Sequence, residues 1–513
     1  MNPAAAKLTR AIASKDARVA ELKDARVFAA AFLLGAATVL GFAPVGWYPL
    51  PFISLAALLY LWQGATTPRG AGFIGFAFGS GLFLTGVSWV YVSLHDFGLM
   101  PAPLAGLATL LFCCFLGLFP AVVGYAQARI GAAPAATQLL LVPALWVLSE
   151  WVRGWIFTGF PWLSLGYAQV GSPLSGFAPV FGVFGLSWLT LLCSGLLLQI
   201  VFARRRLAAA AGLALLLGAG YSLQQFEWTQ PQDEPVTVSL LQGNIPQDLK
   251  WDETRYASTI DLYRRLAEGS NARLTILPET AIPRFQDRID PQFLRSLDAI
   301  ARGRNGDIVI GLPLREVPGR YFNSVISAGA SPAQRYDKVH LVPFGEFIPP
   351  GFGWIINILQ IPLADFTRGR AAQAPLAIAG QKVAINICYE DAFGEEIINA
   401  LPEATLLANV SNVAWFGDSL APRQHLQIAQ LRALETGRTM LRATNTGMTA
   451  IVDHRGEVSA VLPALTQGSL TGTVQGRSGA TPYVRWGNAP VILLAFTICG
   501  AFLLRRKKTI AAT

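Results

Sequence analysis

Eight stretches of about 20 apolar residues constrain this chain more than any other feature, because each is long enough to cross a bilayer core of about 30 Å as a helix. Seven fall between Arg26 and Gln224, at roughly 27–44, 47–63, 71–94, 102–127, 137–153, 177–203 and 207–224. The eighth is Ala489–Leu504. A single run of this kind also suits a buried core helix. Eight of them with coherent loop charges argue for a membrane bundle. They account for a composition of 53% hydrophobic and 14% charged residues, too apolar for an ordinary soluble protein of 513 residues. The first run is expected to stay as a crossing. A charged tail precedes it, and no small-residue cleavage site followed by soluble sequence is apparent.

The net charge of +9 has its explanation in the loops and calls for no nucleic acid. Lys7, Arg10, Lys15, Arg18, Lys23 and Arg26 precede the first crossing. Arg69, Arg129, the Arg204-Arg205-Arg206 run and Arg505-Arg506-Lys507-Lys508 follow the second, fourth, sixth and eighth. Counting crossings puts all of them on one side. The excess of Lys and Arg marks that side as cytoplasmic, with both termini there. The polar segment between the seventh and eighth crossings then lies on the opposite, periplasmic face. Cys113, Cys114, Cys193 and Cys499 sit in apolar runs, so Cys388 is the only cysteine of the polar segment and has no disulfide partner within it. An unpaired thiol in an oxidising compartment is a liability unless it is buried or used.

The expected organisation is therefore a multi-domain chain, an all-α membrane part with an α/β part inserted. Residues 1–26 form a cytoplasmic tail, 27–224 a membrane domain, 230–482 an extracytoplasmic domain, 488–505 the last crossing and 506–513 a second tail. Strands are expected at Val236–Gln242, Leu274–Leu277, Asp307–Leu312, Ser324–Ala328, Val383–Cys388, Leu406–Val410 and Thr449–Asp453, with helices at about 252–267, 291–302 and 422–437. That alternation predicts a mixed α/β sheet domain. In the third crossing, Gly75 and Gly79 have the spacing of close helix packing. At the end of the fifth, Glu150 and Arg153 stand one turn apart before Gly159-Phe160-Pro161-Trp162. They suit either an interfacial ion pair in an aromatic belt or the lining of a lipid headgroup site.

Within the polar segment three strands end in a reactive or charged side chain. Glu279 follows Leu274-Thr275-Ile276-Leu277-Pro278, Lys338 follows Arg335-Tyr336-Asp337, and Cys388 ends the β-branched run from Val383. A thiol, a carboxylate and an ammonium are what acyl transfer through a thioester needs. The thiolate attacks. A carboxylate takes its proton and returns it to the leaving group. The ammonium stabilises developing negative charge. By itself Cys388 also reads as a small buried hydrophobe.

The ordered Glu279, Lys338 and Cys388 resemble the Glu-Lys-Cys triad of the nitrilase superfamily. Longer strings are similar to the apolipoprotein N-acyltransferase family. They are Gln242-Gly243-Asn244-Ile245-Pro246-Gln247 with Lys250-Trp251, Pro343-Phe344-Gly345-Glu346-Phe347-Ile348-Pro349, Cys388-Tyr389-Glu390, Ala414-Trp415-Phe416-Gly417, Gln424-His425 and Arg432-Ala433-Leu434-Glu435. One departure is Val413, where the family pattern leads one to expect Asp. The resemblance implies an α-β-β-α sandwich between the seventh and eighth of eight crossings. It implies Cys388 as nucleophile, Glu279 as general base and acid, and Lys338 as stabiliser of the thiolate and oxyanion. Glu346 would orient Lys338. Tyr389 and Glu390 would shape the pocket, with the Tyr389 amide as an oxyanion donor. Trp251, Trp415, Phe416, Phe347 and Trp354 would meet substrate, Trp251 serving equally well as core packing.

The segment 345–368, rich in Phe, Ile and Trp, suits a lid that dips into lipid or an ordinary piece of core. His425 reads as an internal hydrogen-bonding group. His95, His340 and His454 lack metal-ligand spacing, and there is no Walker loop and no Gly-x-Ser-x-Gly elbow. The resemblance implies a monomeric enzyme of the bacterial inner membrane, with a phospholipid acyl donor, a diacylated lipoprotein acceptor, and no metal or cofactor. A membrane-tethered amidase and a transporter or lipoprotein chaperone with an inactive domain are the competing readings. The apolar 345–368 segment disfavours the first. The intact set of Glu279, Lys338 and Cys388 disfavours the second.

Overall fold

The apolar stretches form helices throughout the first part of the chain, the first two of them shorter than expected for a crossing. The computed structural model describes residues 25–203, 206–349 and 366–512, with side chains as far as Lys507. The expected tail over 1–24, Arg204, Arg205 and most of the 345–368 segment, Trp354 included, lie outside the described residues. Helices α1 (Ala25–Gly41) and α2 (Pro49–Gln63) are short and apolar. Helix α3 (Pro68–Gly86) is bent by 58° from the segment Val90–Phe97 that continues it. Helices α4 (Ala102–Ile130), α5 (Pro134–Arg153), α6 (Pro173–Phe202) and α7 (Arg206–Gln224) are each long and apolar enough to cross a membrane. The Gly75 and Gly79 pair does pack helices together. A Cβ on Gly75 would lie 2.3 Å from the Pro120 carbonyl oxygen of α4, and one on Gly79 2.8 Å from the Gly117 Cα. Only residues without a side chain allow the two backbones this close.

The β-rich part builds two six-stranded sheets from strands β1 (Val236–Gln242), β2 (Leu274–Ile276), β3 (Asp307–Val317), β4 (Arg320–Gly329), β5 (Arg335–Asp337), β6 (Leu376–Ile378), β7 (Gln381–Ile387), β8 (Leu406–Ser411), β9 (Met440–Thr444), β10 (Thr449–Val452), β11 (Val458–Leu462) and β12 (Gly468–Val474), beside a two-stranded pairing of Gln230–Pro231 with Arg477–Ser478. One six-stranded sheet runs β12-β1-β2-β3-β4-β5 and the other β11-β10-β9-β8-β7-β6. Alternation along each strand sorts side chains between layers. Val238, Leu240, Ile276 and Val309 meet Ile385, Ile387, Ala408 and Val410 in the core between the sheets. On the outer side of the first sheet, Leu241, Ile308 and Ile310 pack on helices α8 (Glu253–Glu268) and α9 (Pro291–Arg302). On the outer side of the second, Ala384, Leu407 and Met440 pack on helix α10 (Ala421–Thr436). The result is the α-β-β-α sandwich that the resemblance implied.

Local signals explain the helix limits. Asp252 caps α8 by accepting from the Thr254 amide at 2.8 Å, and Asp290 caps α9 through the Gln292 amide at 2.8 Å. α10 begins with Pro422 in its first turn and ends at Gly437, whose φ of +62° is left-handed. A last helix, α11 (Ala489–Lys507), is again apolar enough to span. Helix α10 also touches the bundle. Its Ala421, Ile428, Leu431 and Leu434 belong to the same apolar core as the membrane helices.

Five strands of the two large sheets escaped the sequence pattern: β5, β6, β9, β11 and β12. Arg442 interrupts the apolar run of β9, yet it is 1% exposed. β11 and β12 alternate half-buried and exposed residues, as edge strands do.

Candidate active site

Strand β7 runs through the core between the sheets and stops at Ile387. Cys388 then turns with φ +55°, a left-handed conformation that costs a non-glycine residue energy and persists only where its surroundings hold it. Two groups hold it. The Asn409 side-chain amide donates to the Cys388 carbonyl at 3.0 Å. The Glu390 carboxylate accepts from the Ile387 amide at 2.6 Å, from the Val339 and His340 amides at 2.6 and 3.0 Å, and from the Tyr336 hydroxyl at 3.0 Å. Glu390 therefore ties the cysteine turn to the loop that carries Lys338. Burial pushes its carboxyl up to about 7, against the pull of these donors and of Lys338.

Glu279 stands just beyond β2, buried. Its Oε1 accepts from the Asn323 amide at 2.7 Å and lies 3.4 Å from Lys338 Nζ. Its Oε2 accepts from the Asn412 backbone amide at 2.7 Å, a bond that crosses from one sheet to the other. Burial pushes this carboxyl up, but Lys338 and Lys250, with the Asn323 and Asn412 donors, outweigh it and leave it below the usual range. Lys338, 1% exposed, sits 2.8 Å from Glu346 Oε2. Burial favours the neutral amine, but Glu346 and Glu279 prevail and hold it charged well above the usual lysine range. Glu346 accepts further from the Asn323 side chain at 2.7 Å and the Val342 amide at 2.8 Å. One Asn323 amide thus bridges both carboxylates. Burial and the Glu279 charge push the Cys388 thiol up, only partly offset by Lys338. At neutral pH the site holds a thiol, an ionised carboxylate beside it and a fixed ammonium. That arrangement suits proton removal by Glu279 coupled to attack by sulfur.

Sequence reasoning missed Asn323, Asn409 and Lys250. Lys250 is 2% exposed and donates to the Glu279 carbonyl at 3.2 Å. Its only visible signal was its place beside Trp251. A buried Asn within apolar β4 and a second within β8 were the signals for the other two.

The remaining expected residues lie around this centre. Tyr389 points toward the membrane helices. Its hydroxyl donates to the Gly159 carbonyl at 2.8 Å, and its ring stacks 6.5 Å from Trp162. Phe416 lies 4.7 Å from Trp89, and Trp415 lies 6.2 Å from Phe97, both against the bent segment after α3. Phe347 lies under the Arg368 guanidinium at 5.3 Å. Trp251 is half-buried in the turn before α8.

Glu150 and Arg153 form no ion pair with each other among the described residues. Glu150 Oε1 accepts from the Trp146 indole at 3.0 Å and the Leu165 amide at 2.9 Å. Arg153 donates to the Phe160 carbonyl at 2.7 Å and the Ser164 hydroxyl at 3.0 Å. Together they brace the 159–165 loop on which Tyr389 rests. His425 Nε2 lies 2.6 Å from Asp391 Oδ1, and the other Asp391 oxygen accepts from Arg442 at 2.7 Å. Among the described residues no three His, Cys, Asp or Glu converge as metal ligands.

Comparison with known proteins covers both halves. Residues 34–196 match the model described as apolipoprotein N-acyltransferase N-terminal domain, and residues 237–483 match carbon-nitrogen hydrolase. A protein of Nitrosomonas europaea named apolipoprotein N-acyltransferase is 53% identical over 93% of this chain and 96% of its own length. Proteins of the same name from Methylococcus capsulatus and Ralstonia nicotianae are 46% and 44% identical, over 91% and 96% of this chain and 94% and 96% of their own lengths.

Proposed function

This chain belongs to the apolipoprotein N-acyltransferase family, and from that premise we propose that it moves a fatty acyl chain from a membrane phospholipid, through a thioester on Cys388, to the free α-amino group of a lipoprotein's N-terminal diacylglyceryl-cysteine. The convergence of Glu279, Lys338 and Cys388 at the strand ends, beside a membrane bundle, carries this reading. Glu279 takes the thiol proton as Cys388 Sγ attacks the ester carbonyl carbon. The C–O bond breaks, and Glu279 returns the proton to the oxygen of the departing lysophospholipid. The lipoprotein amine, with an ordinary pKa near 8, then attacks the thioester. Glu279 takes its proton, the C–S bond breaks, and the proton returns to sulfur. Lys338, oriented by Glu346, faces the negative charge in both halves. Holding the reactants at one thiol makes each step unimolecular.

The bundle supplies the place. We take α1, α2, α4–α7 and α11, with α3 and its bent continuation, as eight crossings. The catalytic domain at 230–482 then lies between the seventh and eighth on the periplasmic face of a bacterial inner membrane, with both tails cytoplasmic and the enzyme a monomer. Trp415, Phe416 and Phe347 would flank the lipid, with Trp251 at the outer edge and the Tyr389 amide donating to the oxyanion. A membrane-tethered amidase is the weaker reading, because full-length relatives carry the acyltransferase name.

Intact-mass analysis after incubation with phospholipid tests the proposal. An acyl mass should appear, leave with hydroxylamine, and be absent from Cys388→Ala. A diacylated lipopeptide should then discharge it as an amide. Rapid discharge by water with an unmodified peptide would instead establish hydrolysis.

A further inference from the structure

Lys338 has two carboxylate partners. Lys250, buried almost as completely, has none among the described residues. The one hydrogen bond its ammonium makes among them goes to the Glu279 carbonyl. An isolated buried ammonium is costly unless neighbouring charge stabilises it. The groups facing it are those of the site itself, the ionised Glu279 and the Cys388 sulfur on which charge develops. The contacting set of Glu279, Glu346 and Lys338 carries one surplus negative charge, which the ammonium of Lys250 offsets.

We propose that Lys250 is a positioning residue of this site, a second ammonium that balances Glu279 and Glu346 so that negative charge can form on Cys388 and on the tetrahedral oxygen. The inference rests on the acyl-transfer reading of the site. Once Glu279 holds the thiol proton, the negative charge resides on sulfur or on the substrate oxygen. Lys338 and Lys250 then offset that charge together with Glu346.

Burial lowers Lys250 to about 8, with Glu279 and Cys388 pulling the other way. Thioester formation should therefore slow as pH rises through about 8. Other titratable groups lie around Cys388 and Lys338. Glu390 titrates near 7. Glu279 lies below the usual range, and Lys338 and the Cys388 thiol lie above theirs. Burial and Arg442 hold His425 down, and Glu346, Asp391 and Arg442 complete the set. The acceptor amine takes no part in this half-reaction.

The experiment is single-turnover thioester formation, followed by intact mass from roughly pH 6 to 10, on wild type, Lys250→Arg and Lys250→Met. Wild type should show the decline near 8. Lys250→Arg should acylate faster than Lys250→Met at neutral pH and lose the decline, because a guanidinium stays charged. Lys250→Met should be slower by about 100-fold throughout. A folded Lys250→Met that acylates at the wild-type rate, a wild type without the decline, or a Lys250→Arg that retains it overturns the proposal. If Lys250→Met does not fold, the Lys250→Arg profile decides alone. If wild type gains no acyl mass, the acyl-transfer reading fails instead. Lys250 is then judged by iodoacetamide alkylation of Cys388, which Lys250→Met should slow and which an unchanged rate would refute.

Discussion

The two outer faces of the sandwich are built from the same kind of helix and put to opposite uses. α8 and α9 bury one stripe each, Thr259, Tyr263 and Ala267 on the first and Phe293, Leu297 and Ala301 on the second. Their other faces carry exposed pairs such as Arg264 with Asp261 and Glu268. α10 buries 14 of its 16 residues, charged ones included. Its polar side chains reach the membrane part. Gln424 accepts from the Trp89 and Trp162 indoles at 3.1 and 2.7 Å. Gln427 accepts from the Ala43 amide at 3.0 Å, and Glu435 from the Val183 amide at 2.7 Å. The sheet carrying Cys388 is thereby registered to the bundle, and the sheet carrying Glu279 and Lys338 is registered to the solvent-facing layer. The candidate active site is the seam between them.

The sharpest way to break this contrast is at the buried pair of α10. Arg432 and Glu435 lie 2.9 Å apart, 1% and 0% exposed. Arg432→Ala leaves a carboxylate buried without its counter-charge. It should cost about 3–5 kcal/mol, read as a fall in the thermal unfolding midpoint in detergent. Gln424→Leu comes next. It orphans the Trp162 indole N–H at about 1–3 kcal/mol, whereas the Trp89 indole keeps the Gly86 carbonyl at 3.0 Å. It should also slow acylation from phospholipid, because Trp162 supports the ring of Tyr389 beside the nucleophile. Unchanged stability in both variants would mean that the bundle does not brace the nucleophile sheet.

Little of that asymmetry was legible in the chain. The α10 range was readable from Pro422 and Gly437. Its Gln424, Gln427, Arg432 and Glu435, however, look like a solvated face until a bundle covers them, whereas His425 already reads as an internal hydrogen-bonding group. β7 announced itself through Val383–Ile387, because a strand buried on both faces has an apolar run. Glu279, Lys338 and Cys388 were visible as strand-end residues. Asn323 and Lys250 were not, since their value depends on which carboxylates the fold brings to them. Glu150 and Arg153 looked like partners at helical spacing, yet each found better-placed partners in the 159–165 loop.

The base side of the seam offers a smaller, chemical test. Glu279 lies below the usual carboxylate range, so its ionised form should persist, and acylation should hold, until pH falls beneath that range. Asn323→Leu removes a donor that favours the ionised form. The acid limb should then move to higher pH by about one unit, worth about 1.4 kcal/mol, in an acylation-rate profile. A limb that stays in place would assign the ionisation to another group.

The smallest effect belongs to the solvated face, and it is the control that gives the others meaning. Arg264 lies 2.6 Å from both Asp261 and Glu268, geometry as tight as any pair on α10. Its side chain is 40% exposed, so water and salt replace most of what the carboxylates provide. Arg264→Ala should change stability by no more than about 0.5 kcal/mol and leave acylation untouched, measured beside Arg432→Ala in the same detergent. If the two substitutions cost the same, burial against the bundle is not what distinguishes the faces, and the anchoring of the Cys388 turn rests instead on contacts such as those of Tyr389 with Gly159 and of Tyr167 with the Ala392 carbonyl.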